Sequence, residues 1–252
     1  MATINMNQPE WPCLVWGTVK LGRDTQLKTP AHTLPSDAEA ETLIRQMTEL
    51  GIRAFDTAPA YGSSEIRLGA APNHSINIST KVGEIHQHGQ SHFDFSAEAV
   101  TQSLKRSQQR LKREHLDLVY LHAPNNDLDI LKHTEAWTTL LDAQHAGIIK
   151  QVGLSGKSTA AAKWAFDHHA DALMVPWNRQ DQSHAEILDE AAARSIKIFV
   201  KKGLNSGQLP AAASLQWMLE DPRIHAVVVG SLNPEHMHQN LNVAKSTRPN
   251  QC

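Results

Sequence analysis

Asp56, Tyr61, Lys81 and His122 would bring together a carboxylate, a phenol, an ammonium and an imidazole if the short apolar runs they end or follow lay side by side. The runs read Phe55-Asp56-Thr57, followed by Ala58-Pro-Ala-Tyr61-Gly62; Ser79-Thr80-Lys81; and Tyr120-Leu121-His122. A phenol with a pKa of about 10 is a poor match to neutral pH, but a nearby cation lowers it. Lys81 can be that cation, with Asp56 to orient it and keep it protonated. His122 can donate a hydrogen bond to an oxygen on which negative charge develops. Such a set can manage one proton at a carbonyl or alcohol oxygen. Taken singly, each residue has a plainer reading: a helix cap, a packing ring, a solvated charge, an incidental histidine among 15. Buried charge needs a partner, because an unpaired one is costly, and Asp56 and Lys81 can partner each other.

These residues must be held by something regular. Short apolar runs alternate with longer segments of helical period along the whole chain. The spacing predicts strands over Val15–Thr18, Ala54–Asp56, Ile76–Lys81, Leu116–His122, Gln151–Ser155, Ala172–Pro176, Ile196–Lys201 and Ala226–Val229, each followed by a helix. Ser36 and Glu39 form a capping box ahead of Leu43, Ile44, Met47 and Leu50, and Gly51 stops that helix. Ser96 opens, and Gly147 closes, two further helices. Eight such units in 252 residues predict an α/β fold, a (β/α)8 TIM barrel forming a single domain over 1–252. The doubly wound alternative would want a G-x-G-x-x-G turn after the first strand, where this chain reads Gly17-Thr-Val-Lys-Leu-Gly22. In a barrel, active sites lie at the C-terminal strand ends, where all four residues fall.

Composition narrows the function classes. A net charge of −2 gives no field for nucleic acid or an anionic membrane. No stretch approaches the roughly 20 apolar residues of a membrane-spanning helix. The opening MATINMNQPEWP has no basic or apolar secretory region, so no signal peptide is expected. Cys13 and Cys252 do not make a disulfide framework, which leaves a reducing, cytoplasmic home as the expectation. His86, His88 and His92 fall in a polar loop with no carboxylate or cysteine cluster, so no metal is expected there. His168-His169 is read as a helix end.

Phe55-Asp-Thr-Ala-Pro-Ala-Tyr-Gly-Ser-Ser-Glu65 resembles the signature of the aldo-keto reductase superfamily. Ser79-Thr-Lys81-Val and Leu116-Asp-Leu-Val-Tyr-Leu-His122 resemble its next motifs. Gly153-Leu-Ser155 and Val229-Gly-Ser231-Leu-Asn-Pro-Glu-His-Met-His-Gln-Asn240 resemble its cofactor segments. The resemblance, from Leu14 to Leu241, implies the barrel, a nicotinamide cofactor and a catalytic tetrad of Asp56, Tyr61, Lys81 and His122. It also implies a small-molecule carbonyl or alcohol as substrate. Ser155 resembles the residue that binds the carboxamide. Loops after the seventh and eighth strands commonly bind phosphate. Lys201, Lys202, Leu204, Ser206 and Gly207 in the first loop, and Gly230, Ser231, Asn233, His236, Gln239 and Asn240 in the second, are candidate cofactor contacts, with Thr18 and Asp56.

The chain also departs from the family pattern. The usual Lys or Arg near Gly230 and Arg near His236, which hold the 2′-phosphate, have no counterpart. NADPH is expected over NADH, with NADH possible. Gly156 and Met174 stand where an asparagine and a glutamine are usual, and Lys201 stands near the place of an aromatic often stacked on nicotinamide. Ala123 replaces a bulky tryptophan of some members, and the chain ends soon after the last helix; both imply an open site. A monomer or weak homo-oligomer is expected. Two other readings remain: a cofactor-binding regulatory barrel with little turnover, and a Schiff-base enzyme using Lys81.

Overall fold

The computed structural model describes residues 10–27, 32–71, 76–87 and 89–252. Its strands are β1 (Leu14–Gly17), β2 (Ala54–Asp56), β3 (Asn77–Val82), β4 (Glu84–Gln87), β5 (Gln90–Phe93), β6 (Leu118–His122), β7 (Val152–Ser155), β8 (Ala172–Pro176), β9 (Lys197–Lys201) and β10 (Ala226–Val229). All but β4 and β5 close into a parallel barrel in the order β1-β10-β9-β8-β7-β6-β3-β2. The helices that alternate with them are α1 (Asp37–Leu50), α2 (Ser64–Ala70), α3 (Ala97–Leu111), α4 (Asp127–His133), α5 (Ala136–His145), α6 (Thr159–Asp167), α7 (Ala185–Ala193), α8 (Ala211–Leu219) and α9 (Pro234–Thr247). The barrel expected from the alternation is the one observed.

The strands are buried on both faces, as parallel strands between a filled interior and a helical jacket must be. Inside, Val15, Tyr120, Met174 and Phe199 pack with Trp11, which precedes β1 and donates through Nε1 to Gln151 Oε1 at 2.8 Å. Gly153 makes room for Tyr120, since a Cβ there would lie 2.5 Å from the Tyr120 ring. Outside, Ile44, Met47, Val100, Leu104, Leu140 and Leu215 belong to the larger apolar layer between strands and helices. The predicted caps are present. Ser36 accepts from Glu39 N while Glu39 reaches back, Gly51 ends α1 at φ 100°, and Ser96 accepts from Ala99 N at the start of α3. Among the described residues, no helix is long and apolar enough to cross a membrane.

Two expectations need correction. The segment between β3 and α3, expected as a polar loop, is an antiparallel hairpin, with Glu84 opposite Phe93 and His86 opposite Ser91. His86 and His92 lie on its two strands; His88 lies outside the described residues. Cys13 and Cys252, read as making no disulfide framework, form a disulfide with a Cα–Cα separation of 5.5 Å. The segment after α9 returns to the start of β1, where Cys13 N donates to Gln251 O at 2.9 Å. A separation of 239 residues in sequence hid that closeness, and the pairing removes the cysteine argument for a reducing compartment.

Candidate active site

The register of the barrel brings the four sequence-predicted catalytic residues together. Asp56 ends β2 opposite Ser79 of β3, and Lys81, two residues further on, is level with Tyr120 of β6. Lys81 is 2% exposed yet fully partnered. Its Nζ donates to Asp56 Oδ1 and Oδ2 and to the Thr57 carbonyl, each at 2.8 Å. Ser79 Oγ donates to Asp56 Oδ1 at 2.7 Å. Burial alone would lower the Lys81 pKa, but the Asp56 and Tyr61 charges and hydrogen bonds more than offset it, so the ammonium is held above its usual range.

Tyr61 ends a 3₁₀ turn, Pro59–Tyr61, directly after β2. The turn folds back against Gly22, and a side chain on Gly22 or Gly62 would strike the opposing backbone, so only glycine fits. Lys81 Nζ lies 4.7 Å from the centroid of the Tyr61 ring. Burial raises the phenol pKa; Lys81 pulls it down but does not win, so the net shift is upward, not the lowering expected from the cation alone. The arrangement therefore keeps Tyr61 a proton donor at neutral pH.

His122 ends β6, and its partner is one the sequence reading missed. Nδ1 lies 2.9 Å from Glu84 Oε2 on the hairpin, an ion-pair contact that is not a straight hydrogen bond. Glu84 also accepts from Ser91 Oγ at 2.6 Å and lies 3.5 Å from Arg23. Arg23 in turn donates to the Ala60 carbonyl at 3.2 Å, beside Tyr61. Burial would raise the Glu84 pKa, but His122, Ser91 and Arg23 pull it down to about 2. Burial lowers the His122 pKa, and Glu84 only partly restores it. With Glu84 facing Nδ1, Nε2 can donate to a substrate oxygen when the ring is an imidazolium. The signal for the hairpin was in the sequence: the four-residue segments 84–87 and 90–93 are separated by only two residues, the second of them Gly89.

A cavity of about 360 Å³ joins the tetrad to the loops after β9 and β10. It is lined by Asp56, Tyr61, Lys81, His122, Ser155, Lys201, Lys202, Leu204, Ser206, Gly207 and Gly230 of the predicted residues, and by Gly17, Val19, Lys20, Met174, Gly203, Val228 and Val229. A wider groove of about 530 Å³ beside α1, lined by Thr33, Leu34, Glu39 and Gln46 among others, carries no comparable chemistry. The loop after β9 is built from left-handed residues, with Lys202, Asn205, Ser206 and Gly207 at φ 58°, 43°, 58° and 92°. Such turns present backbone N–H groups to anions. Lys201 turns inward instead, donating to Ser155 Oγ at 3.0 Å and the Gly156 carbonyl at 2.9 Å. Asp127 fixes that corner by accepting from the backbone N–H groups of Lys157 and Ser158 at 2.7 and 2.8 Å.

The remaining candidates lie outside the cavity wall. The Thr18 hydroxyl donates to the Asp56 carbonyl at 2.9 Å and lies 2.8 Å from Ser64 Oγ. Asn233 caps α9 by accepting from Glu235 N, and Ser231 Oγ lies 3.4 Å from His236 Nδ1 on its first turn. Gln239 donates to Glu235, and Asn240 is buried beside Met237.

The site and the barrel have counterparts. The sequence model of the Aldo/keto reductase family matches residues 14–209, and the chain belongs to that family. Aldo/keto reductases are oxidoreductases that use nicotinamide cofactors, and this chain is an oxidoreductase of that kind. A D-threo-aldose 1-dehydrogenase of Pseudomonas sp. is 26% identical over 83% of this chain and 84% of its own. A methylglyoxal reductase of Escherichia coli O157:H7 is 25% identical over 82% of this chain and 80% of its own. Among solved structures, a Pseudomonas aeruginosa protein described as an aldo-keto reductase superposes with a TM-score of 0.84 at 38% identity, covering 93% of this chain and 90% of its own.

Proposed function

We propose that this protein is an NADPH-dependent carbonyl reductase, reducing a small aldehyde or ketone or oxidising the matching alcohol. The observation that carries it is the assembly of Asp56, Lys81, Tyr61 and His122 on one side of a cavity whose other side is rich in cations and left-handed turns. The donor set fits a dinucleotide: Lys202 and the loop through Gly207 for the pyrophosphate, Ser155 for the carboxamide, and Ser231, Asn233 and His236 for the adenosine end. When bound, the nicotinamide supplies or accepts the hydride. Tyr61 then gives its proton to the carbonyl oxygen. Asp56 holds Lys81 charged beneath the phenol, so that the tyrosinate formed on proton transfer is stabilised. His122, as imidazolium, donates to the same oxygen while its charge builds. In oxidation the tyrosine takes the proton back.

The activities of the relatives make aldoses and methylglyoxal the first members of a substrate panel. We place the working unit as a monomer or weak homo-oligomer without nucleic-acid or membrane partners. The test is fluorescence titration with NADPH and NADH, followed by the panel. Tight NADPH binding with turnover of one or more carbonyls supports the proposal. Tight binding with no turnover would favour a regulatory barrel.

A further inference from the structure

Lys201 is the second lysine at the barrel mouth, and its surroundings differ from those of Lys81. In register, His122 stands opposite Ser155, and Lys201 opposite Pro176. Lys201 crosses β8 to reach the end of β7, where its Nζ meets Ser155 Oγ at 3.0 Å and the Gly156 carbonyl at 2.9 Å. Both acceptors are neutral. Of the acids nearby, Asp56 is already paired with Lys81 and Glu84 with His122. Lys201, Lys20 and Lys202 line the cavity, and Asp56 is the acid among its lining residues.

Hydride transfer to a carbonyl held by Tyr61 and His122 requires the nicotinamide ring to lie in this cavity. Adjacent strands are about 4.8 Å apart, so a ring beside His122 and Ser155 lies within about 10 Å of the Lys201 ammonium. The oxidised ring carries a positive charge; the reduced ring does not.

We propose that Lys201 makes the site discriminate between redox states of the cofactor, binding the reduced dinucleotide more tightly than the oxidised one. This rests on the reading of the cavity as a nicotinamide site. Like charges at that separation in a partly buried site weaken binding by on the order of tenfold. The ammonium is also poised to lose its charge. Burial, with Lys202, Lys81 and Lys157 nearby, pulls its pKa down to about 7 against the opposing pull of Asp56. His122 and His184 face the same charge, and both are lowered from their usual values, so they lose their own charge at lower pH. Discrimination is therefore largest below neutrality and fades as the pH rises and Lys201 deprotonates.

The test is the ratio of the dissociation constants of NADP⁺ and NADPH, measured by protein fluorescence or calorimetry from about pH 6 to about pH 8.5, a range that spans deprotonation of a lysine so shifted. The phosphates are common to both forms, so their titration cancels in the ratio. The wild-type ratio should fall by on the order of tenfold across that range. Lys201→Arg should hold it high throughout, and Lys201→Met should make it low and flat. A flat wild-type ratio with both forms bound would overturn the role of Lys201 and leave the carbonyl-reductase reading standing. A Lys201→Met protein that keeps the wild-type slope would do the same. Failure of either form to bind would overturn both. The wild-type measurement decides the matter even if a variant does not fold.

Discussion

The two sides of the barrel mouth use lysine in opposite ways. On the β2–β3 side, Lys81 is locked to both oxygens of Asp56, and its charge is permanent. On the β7–β9 side, Lys201 rests on two neutral oxygens among other cations, and its charge is conditional. Burial disfavours both ammonium ions, and the presence of a carboxylate decides which keeps its proton. One side thereby carries a fixed charge and the other a conditional one.

The sharpest way to break this contrast is to remove each lysine in turn. Lys81→Met strands Asp56 as a buried, unpaired carboxylate and should cost about 3–5 kcal/mol of stability in denaturant unfolding. Lys201→Met takes a donor from Ser155 Oγ and the Gly156 carbonyl but strands no charge, and should cost only about 1–2 kcal/mol. Equal losses from the two would mean that Lys201 has a charged partner in solution.

A smaller effect tests the disulfide, which lies away from both halves of the mouth. Reduction, or Cys252→Ser, should lower stability by about 2–4 kcal/mol, with kcat and cofactor affinity unchanged. A loss of activity below the unfolding transition would tie the C-terminus to the site.

Glu84 on the hairpin pairs with His122 of β6, and this pair gives a further test. The Glu84 carboxylate, with its pKa near 2, stays charged at neutral pH and favours the imidazolium of His122. Glu84→Gln removes that support, so the His122 pKa should fall further and carbonyl reduction at neutral pH should drop by about tenfold, the equivalent of one pKa unit. Activity should recover at lower pH; an unmoved profile would reduce Glu84 to a structural role. Cofactor choice is tested at the start of α9. His236→Arg should strengthen NADPH over NADH by about 1.5–3 kcal/mol if a charge-assisted bond to the 2′-phosphate forms, and an unchanged ratio would mean that this phosphate is read elsewhere.

The same contrast explains what the sequence made legible. The tetrad was readable because each member is a distinct chemical type at the end of an apolar run, and strand register does the rest. The barrel was readable because parallel strands buried on both faces leave short apolar segments at regular intervals. Glu84 was hidden because its partner His122 lies 38 residues away on β6, and Glu84 itself sits on a hairpin where a polar loop was expected. The inward turn of Lys201 was hidden because sequence pattern does not say which way a strand-end lysine points. The pairing of Cys13 with Cys252 was hidden for the same reason that any long-range contact is: nothing local encodes it.

In the proposed mechanism Tyr61 is the proton donor at a site that binds cofactor independently of it. Single-turnover reduction of a responsive carbonyl by NADPH-loaded protein, wild type against Tyr61→Phe, measures this directly. The Tyr61→Phe rate should be lower by on the order of a hundredfold to ten-thousandfold, with the NADPH dissociation constant unchanged. A Tyr61→Phe protein that reduces the carbonyl at near the wild-type rate would contradict it.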